Sequence, residues 1–408
     1  MKPLAQQEHR QFGWAAQLTT LWSRHGQRLL QIGIGLMMAA TLWRLGLELP
    51  RLIWGQDEIH AVDLLSRYRE VGRWFVGLPV YGVMANGDYP PASYPLLWPW
   101  VGWLGEAATR WFWALTTLLM LGWLSWLGIR ASHAASRWER VFIALMPFAL
   151  YPASAGIRVG QIAAHVMPTL VVGLLLVQRA AARPNWRRDL LAAALVIFAL
   201  VKPTLSAPFF WLACFMPGRW RPVLFVSLGY LLTALLAVQY QAGNLLTLHL
   251  DWLNHAGTQL GTRGHASVHT WLEAAGLSDW MLPASLLVFG ITGIWTAIYR
   301  RAHPWALLSV AAIAARFWVD HQVFDDLLLW IPLIALFRYA RQEATVRVRI
   351  IAAVLFALNW FALMAPARFL SDGHPLSSLA IPAQTAIWIG GLLFFMALAH
   401  RDVTQETA

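Results

Sequence analysis

Lysine is almost missing from this chain: it occurs twice, at Lys2 and Lys202, against 29 arginines. Charge of either sign is scarce, with 12% of the 408 residues being Asp, Glu, Lys or Arg, about half the share of a soluble globular protein. One cysteine, Cys214, sits in an apolar run and excludes a disulfide framework. There is no clear internal repeat and no low-complexity tract. What fills the sequence is apolar: 58% hydrophobic residues, 25 tryptophans and a mean hydropathy of +0.52. Runs at 29–48, 111–129, 162–178, 222–240, 280–299 and 381–399 approach or reach the ~20 residues that cross a bilayer. The expectation is an all-α polytopic membrane protein, a single integral membrane domain over 1–408. The first run lacks a small-residue cleavage site, so it reads as a retained span.

A net charge of +11 raises the question of nucleic acid, and its distribution answers it. Arginines gather in short gaps between apolar runs: Arg130/Arg137/Arg140, Arg179/Arg183/Arg187/Arg188, Arg219/Arg221, Arg300/Arg301 and Arg338/Arg341/Arg347/Arg349. With Lys2, Arg10, Arg24 and Arg28 these mark cytoplasmic segments by the positive-inside rule. The expected partner is the lipid bilayer, not nucleic acid. Threading between the basic gaps places the amino terminus inside and predicts about twelve spans. The loops 49–92 and 241–279 then lie outside and hold most of the polar chemistry. Residues 93–104, SYPLLWPWVGWL, are too short and too proline-rich to cross, and read as a half-buried piece. The run 190–217 is interrupted at Lys202-Pro203. Such breaks at membrane depth are tolerated where they line protein or a water-filled cavity.

The scarce charge concentrates in WGQDEIHAVDLLSRYREVGRW, residues 54–74, which carries four of the twenty acids. A helix beginning near Glu58 would place His60, Asp63, Arg67 and Glu70 on one stripe. Ala61, Leu64, Leu65, Tyr68, Val71 and Phe75 would face the other way, giving an amphipathic helix on the membrane surface. Asp57 would cap that helix and Glu58 would sit in its first turn. Asp63, deeper in, would either pair with Arg67 on a solvated face or do chemistry.

The next residues bear on that choice. Gly77-Leu-Pro-Val-Tyr81 leads into Asp88-Tyr-Pro-Pro-Ala-Ser-Tyr-Pro95, and Asp63 stands fourteen residues before Gly77. The pattern resembles the bacterial type-C glycosyltransferases of glycosyltransferase family 87, which use polyprenyl-phosphate sugars. Gly160-Gln161, Val201-Lys202-Pro203, and Asp320-His321 followed by Asp325-Asp326-Leu-Leu-Leu resemble its later elements in order and spacing. The sequence departs from the family where Leu64 replaces an aromatic residue and where His265-Ala-Ser-Val-His269 stands in place of Asn-Gln-Ser. The resemblance implies a type-C-like helical bundle with extracytoplasmic amphipathic helices, in a bacterial inner membrane with an outward-facing site. It implies an inverting transfer of a sugar, mannose being the first candidate, from a polyprenyl-phosphate donor to a lipid or glycan acceptor. No cofactor and no metal are implied. Asp63 would be the catalytic base. Lys202, His321 and Arg158 would bind the donor phosphate, and Gln161, Tyr89, His265, His269, Asp57 and Asp326 the substrates.

The residues carry part of this without the family. An intramembrane Lys is costly and marks a site, unless it snorkels to the interface; a compact ammonium suits a phosphate. His321 could donate to a phosphate oxygen or sit in an ordinary salt-bridged turn. Asp320, His321, Asp325 and Asp326 could alternatively hold a hard cation, although neither long loop has a D-x-D pair. His265 and His269 lack a third zinc ligand. The competing class is a multi-span transporter or lipid-linked sugar flippase, for which a charged break at mid-depth would also serve; paired breaks in two related halves would mark one, and only one break is evident.

Overall fold

The computed structural model describes residues 13–57, 59–85, 87–179, 185–215, 220–258, 266–366 and 375–407. All regular elements among them are helical. In chain order they are α1 (Gly13–Trp54), α2 (Val62–Phe75), α3 (Ser93–Val101), α4 (Glu106–Ser132), α5 (Arg137–Ala149), α6 (Tyr151–Val159), α7 (Ala163–Arg179), α8 (Trp186–Ala199) and α9 (Pro203–Phe215). There follow α10 (Trp220–Val238), α11 (Leu245–Thr258), α12 (Val268–Ala274), α13 (Met281–Ile298), α14 (Pro304–Phe317), α15 (Trp330–Gln342), α16 (Val346–Met364) and α17 (Pro375–Thr407). Short 3-10 turns at Ser278–Trp280 and Val323–Leu329 precede α13 and α15.

Among the described residues seven helical segments are long and apolar enough to cross a bilayer: Gly26–Trp54, Glu106–Ser132, Arg137–Val159, Trp220–Val238, Ser278–Ile298, Val346–Met364 and Leu379–Gln405. Three further apolar helices, α7, α9 and α14, have 17, 13 and 14 residues and fall short of the full crossing length. The chain is thus a multi-pass helical membrane protein, in which length alone accounts for seven of the twelve expected spans.

Packing sorts these helices by depth. In α14 every residue from Trp305 to Phe317 is buried, and in α15 so is the run Trp330–Phe337. A helix that is apolar on all sides and covered on all sides is a core helix. By contrast α10, α13 and α16 leave Leu231, Leu232, Leu286, Leu287, Ile294, Ile351 and Phe361 exposed, as lipid-facing helices do. Helix ends inside the bundle find partners. Arg44 of α1 donates to the Ala149 carbonyl at the α5–α6 kink, and its Nη2 donates to the Met364 carbonyl at 2.8 Å. These are terminal carbonyls without an intrahelical donor, which would be costly to leave bare in a membrane. At the other end of that span, Ser136 and Glu139 form a capping box at the start of α5.

The half-span expected over 93–104 is present as α3, nine residues with Pro99 inside. The expected break is present too: α8 ends at Ala199, α9 begins at Pro203, and the chain turns through Leu200, Val201 and Lys202.

Candidate functional site

The charged segment folds differently from its sequence pattern. Its helix begins at Val62, not near Glu58, because Ala61 takes a left-handed conformation (φ 54°) and its N–H donates to the Arg158 carbonyl at 2.9 Å. A hydrogen bond to the end of α6 thus decides where α2 starts. Asp57 is therefore no helix cap: its side chain is 80% exposed and stands 3.3 Å from His60 Nδ1. Asp63 lies in the first turn of α2, where an acid is favoured by the helix dipole. The charged stripe also faces inward. Arg67 and Glu70 are buried with Leu64, Val71 and Trp74, so the helix is not laid on the bilayer with its charges in water.

Arg67 organises the polar side of α2. Its Nη1 lies 2.8 Å from Glu70 Oε2 and 3.2 Å from Asp88 Oδ1, and its guanidinium stacks 4.1 Å from the centre of the Tyr89 ring. Tyr89 donates through its hydroxyl to Gln161 Oε1 at 3.4 Å. The same Oε1 accepts from the Ile162 N–H at 2.9 Å, and Gln161 Nε2 donates to Asp63 Oδ2 at 2.9 Å. With two donors on the amide oxygen, the amide orientation is fixed and Asp63 receives an N–H. Three residues named from the sequence, Asp63, Gln161 and Tyr89, thus form one chain of contacts.

Gly160 makes that chain possible. It ends α6 in the left-handed region (φ 72°), and a Cβ there would come within 2.4 Å of the Leu64 Cβ, beside Asp63. Gly160→Ala adds a positive-φ penalty of about 1 kcal/mol to a clash that must push α2 away, of the 1–3 kcal/mol order of an overpacked core. The expected outcome is a melting temperature lower by several degrees. A variant with unchanged melting would mean that the turn carries no strain.

Lys202 is held from both sides of its break. Ser93 Oγ at the start of α3 donates to the Val201 carbonyl at 2.8 Å, and Trp318 Nε1 at the end of α14 donates to the Thr204 carbonyl at 2.8 Å. These side chains satisfy backbone acceptors that flank the break. The Lys202 Nζ lies 2.6 Å from Asp325 Oδ1 and 5.2 Å from the centre of the Phe324 ring. Asp325 Oδ2 accepts from the Gln322 N–H at 3.2 Å, which locks the carboxylate in its turn.

The charge of Lys202 is also felt at Asp63. Burial pushes the Asp63 carboxyl up from 3.8 to about 6, opposed first by Lys202 and then by Arg67. Lys202 thus favours the ionised form of Asp63 more than Arg67 does. Neighbouring His321 is fully covered, and burial drives it down to about 4. Its Nδ1 lies 3.0 Å from the Val319 carbonyl, so the ring hydrogen sits on Nδ1, and Nε2 is a buried lone pair with no partner among the described residues. Burial thus favours the neutral ring of His321 at neutral pH. Asp320, also pushed up to about 6 by burial, adjoins it.

The remaining expected residues have other partners. Asp326 pairs with the buried Arg316, tying the Val323–Leu329 turn to α14. Arg158 Nε is 3.1 Å from Glu48 Oε2, a counter-ion in α1 that the sequence gave no reason to connect with it. His269 is buried, with Nε2 2.6 Å from Ser285 Oγ, and joins α12 to α13. His265 lies outside the described residues. Among the described residues no three His, Cys, Asp or Glu side chains gather as a metal site, Asp325 and Asp326 being engaged by Lys202 and Arg316. Asp325, which the sequence offered only as part of a possible cation cluster, is the partner of Lys202. Adjacent aspartates in a 3-10 turn diverge, and only the turn's orientation decides which one meets Lys202.

Comparison with known proteins gives no family model, no curated protein and no solved structure that matches this chain.

Proposed function

We propose that the chain is an inverting glycosyltransferase of the type-C class. In this reading it moves a sugar from a polyprenyl-phosphate donor to a lipid or glycan hydroxyl at the extracytoplasmic face of a bacterial inner membrane. One observation carries the reading: the half-buried Asp63 carboxyl, held by Gln161 Nε2 at 2.9 Å and raised to about 6 by burial, has as its strongest opposing charge the buried Lys202 ammonium on a broken helix. A base and a phosphate-sized cation in one low-dielectric pocket are what the transfer needs.

The acceptor hydroxyl attacks the anomeric carbon and gives its proton to Asp63. The bond from that carbon to the phosphate oxygen breaks, and its electron pair leaves with the polyprenyl phosphate. Lys202 takes up the growing negative charge, with Asp325 as its counter-ion until the phosphate arrives. His321, neutral with a free Nε2, gains a proton only when an anion nearby raises its pKa. Attack without a covalent enzyme intermediate inverts the anomeric centre.

The proposed topology counts about twelve membrane-embedded helices, ten of them full crossings. Five shorter helices join the seven long ones: α7, α8, α9, α14, and α15 with its preceding turn. Both loops flanking α8 and α9 are arginine-rich, so these two helices rise and return on the cytoplasmic side, with Lys202 at the tip of the hairpin. At 14 and 13 residues each leg covers ~20 Å, which leaves the tip below the outer surface.

The test is transfer by the purified full-length chain in liposomes, offered a panel of radiolabelled polyprenyl-phosphate sugars with membrane lipid extract as acceptor. One donor, mannose first, is expected to label a product with inverted anomeric configuration. Transport of an intact donor across the vesicle wall without a labelled product would replace this reading by that of a flippase.

A further inference from the structure

We infer a second binding site, for the phosphate of an anionic membrane phospholipid, in the hollow between α2 and α3. It rests on no part of the glycosyl-transfer reading. Tyr68, Arg69, Gly72 and Arg73 form one wall, on a different face of α2 from the buried Asp63 network, and Met84 and Val101 form the other; the hollow has a volume of about 400 Å³.

Three features give this hollow a phosphate-binding character. First, its charge is of one sign: two arginines line it and no acid does. Arg69 is exposed in mid-helix, with no ion-pair or hydrogen-bond partner among the described residues. Arg73 is anchored by Nε to the Pro79 carbonyl at 3.1 Å, which fixes its guanidinium while its two terminal nitrogens have no partner among the described residues. The favourable placement of Arg73 near the end of α2 follows from the helix dipole; that of Arg69 does not.

Second, Gly72 has no packing reason to be glycine. It lies inside a helix, where glycine costs about 1 kcal/mol relative to alanine, and a Cβ there would meet nothing within 4 Å. The missing side chain keeps the hollow open. Third, the hollow borders the membrane interface. Trp98 and Trp103 flank it at 42% and 59% exposure, in the manner of interfacial tryptophans. Gly102 lets Trp98 lie against the rim, since a Cβ at 102 would stand 2.3 Å from the Trp98 ring. Arginine above an apolar floor, at a tryptophan-marked interface, fits a lipid-borne phosphate with its acyl chains directed into the bilayer.

The experiment is native mass spectrometry of the intact chain in detergent, titrated with dioleoylphosphatidylglycerol or dioleoylphosphatidylcholine. The first phosphatidylglycerol is expected to bind at least tenfold more tightly than phosphatidylcholine. R69Q and R69Q/R73Q should each weaken that first event, the double variant by tenfold or more. G72L should do so too, by filling the hollow while improving the helix. R187Q/R188Q, on the opposite side of the membrane, should leave the first event intact. The proposal is overturned if R187Q/R188Q removes the tight event and R69Q/R73Q does not, or if phosphatidylcholine binds equally well. Displacement of the lipid by millimolar inorganic phosphate would overturn it as well, since the hollow would then take a free anion in place of a lipid.

Discussion

Asp63→Asn is expected to lower sugar transfer by about 10²–10⁴-fold, the usual worth of a general base, while leaving the fold as stable or more stable. The two effects have one cause. Asn matches Asp in shape and still accepts from Gln161 Nε2, so the contact at 2.9 Å survives. What is lost is a charge that burial disfavours, which is why the carboxyl stands at about 6 in place of 3.8. An acid with a raised pKa destabilises the folded state only when ionised. Below pH 3.8 both folded and unfolded chains hold the proton and nothing is lost. The cost grows between pH 3.8 and about 6 and is complete above that. At pH 7 a shift of this size corresponds to about 1–3 kcal/mol once partial solvent screening is allowed for, and the Asn variant should recover it. Activity runs the opposite way with pH: kcat/KM of the wild type should rise tenfold per unit up to pH 6 and then level off, and the residual activity of the variant should show no such limb. Near wild-type transfer by the variant would remove Asp63 from the chemistry. A large loss of melting temperature would instead make it a structural group.

Much of this arrangement is legible in the sequence where local chemistry decides it. The apolar runs require membrane helices, Pro99 and the brevity of 93–104 require a piece that does not cross, and Lys202-Pro203 requires a break; all three are found. The Asp63–Gln161 contact was approachable because both residues stand in loops flanking apolar runs. What the sequence does not carry is tertiary. The α2 start moved four residues because the Ala61 N–H bonds to Arg158 across the fold. A periodicity argument treats the helix as isolated, so it assigned the stripe of Arg67 and Glu70 to water, whereas in the fold both are buried and Arg67 packs on Asp88 and Tyr89. Arg158 looked free because Glu48 is 110 residues away in the chain. The environment of His321 is tertiary too: burial, which sequence does not show, outweighs the pull of Asp325 and lowers its pKa.

Lys202 is the other residue whose loss should be large, and its effect must be separated from that of its partner. Lys202→Met leaves Asp325 buried without the ammonium at 2.6 Å. Breaking a buried pair on one side costs about 3–5 kcal/mol, so the single variant is expected to unfold at markedly lower temperature and to lose transfer, which by itself shows nothing about substrate. The double variant Lys202→Met, Asp325→Leu settles the matter. Replacing both members of a buried pair by apolar groups of similar volume is often neutral or stabilising, so the double variant should melt close to wild type. If Lys202 serves only as the counter-ion of Asp325, activity returns with stability. If it binds the donor phosphate, the double variant folds and stays inactive. Its donor affinity should fall about 10²–10³-fold, the scale for losing a buried charge partner at a binding site. Lys202→Arg sharpens the test, because the planar fork restores the charge but not the compact geometry beside Phe324. Stability near wild type with donor affinity only partly recovered is the outcome expected of a phosphate site, and full recovery of transfer in the double variant would rule it out.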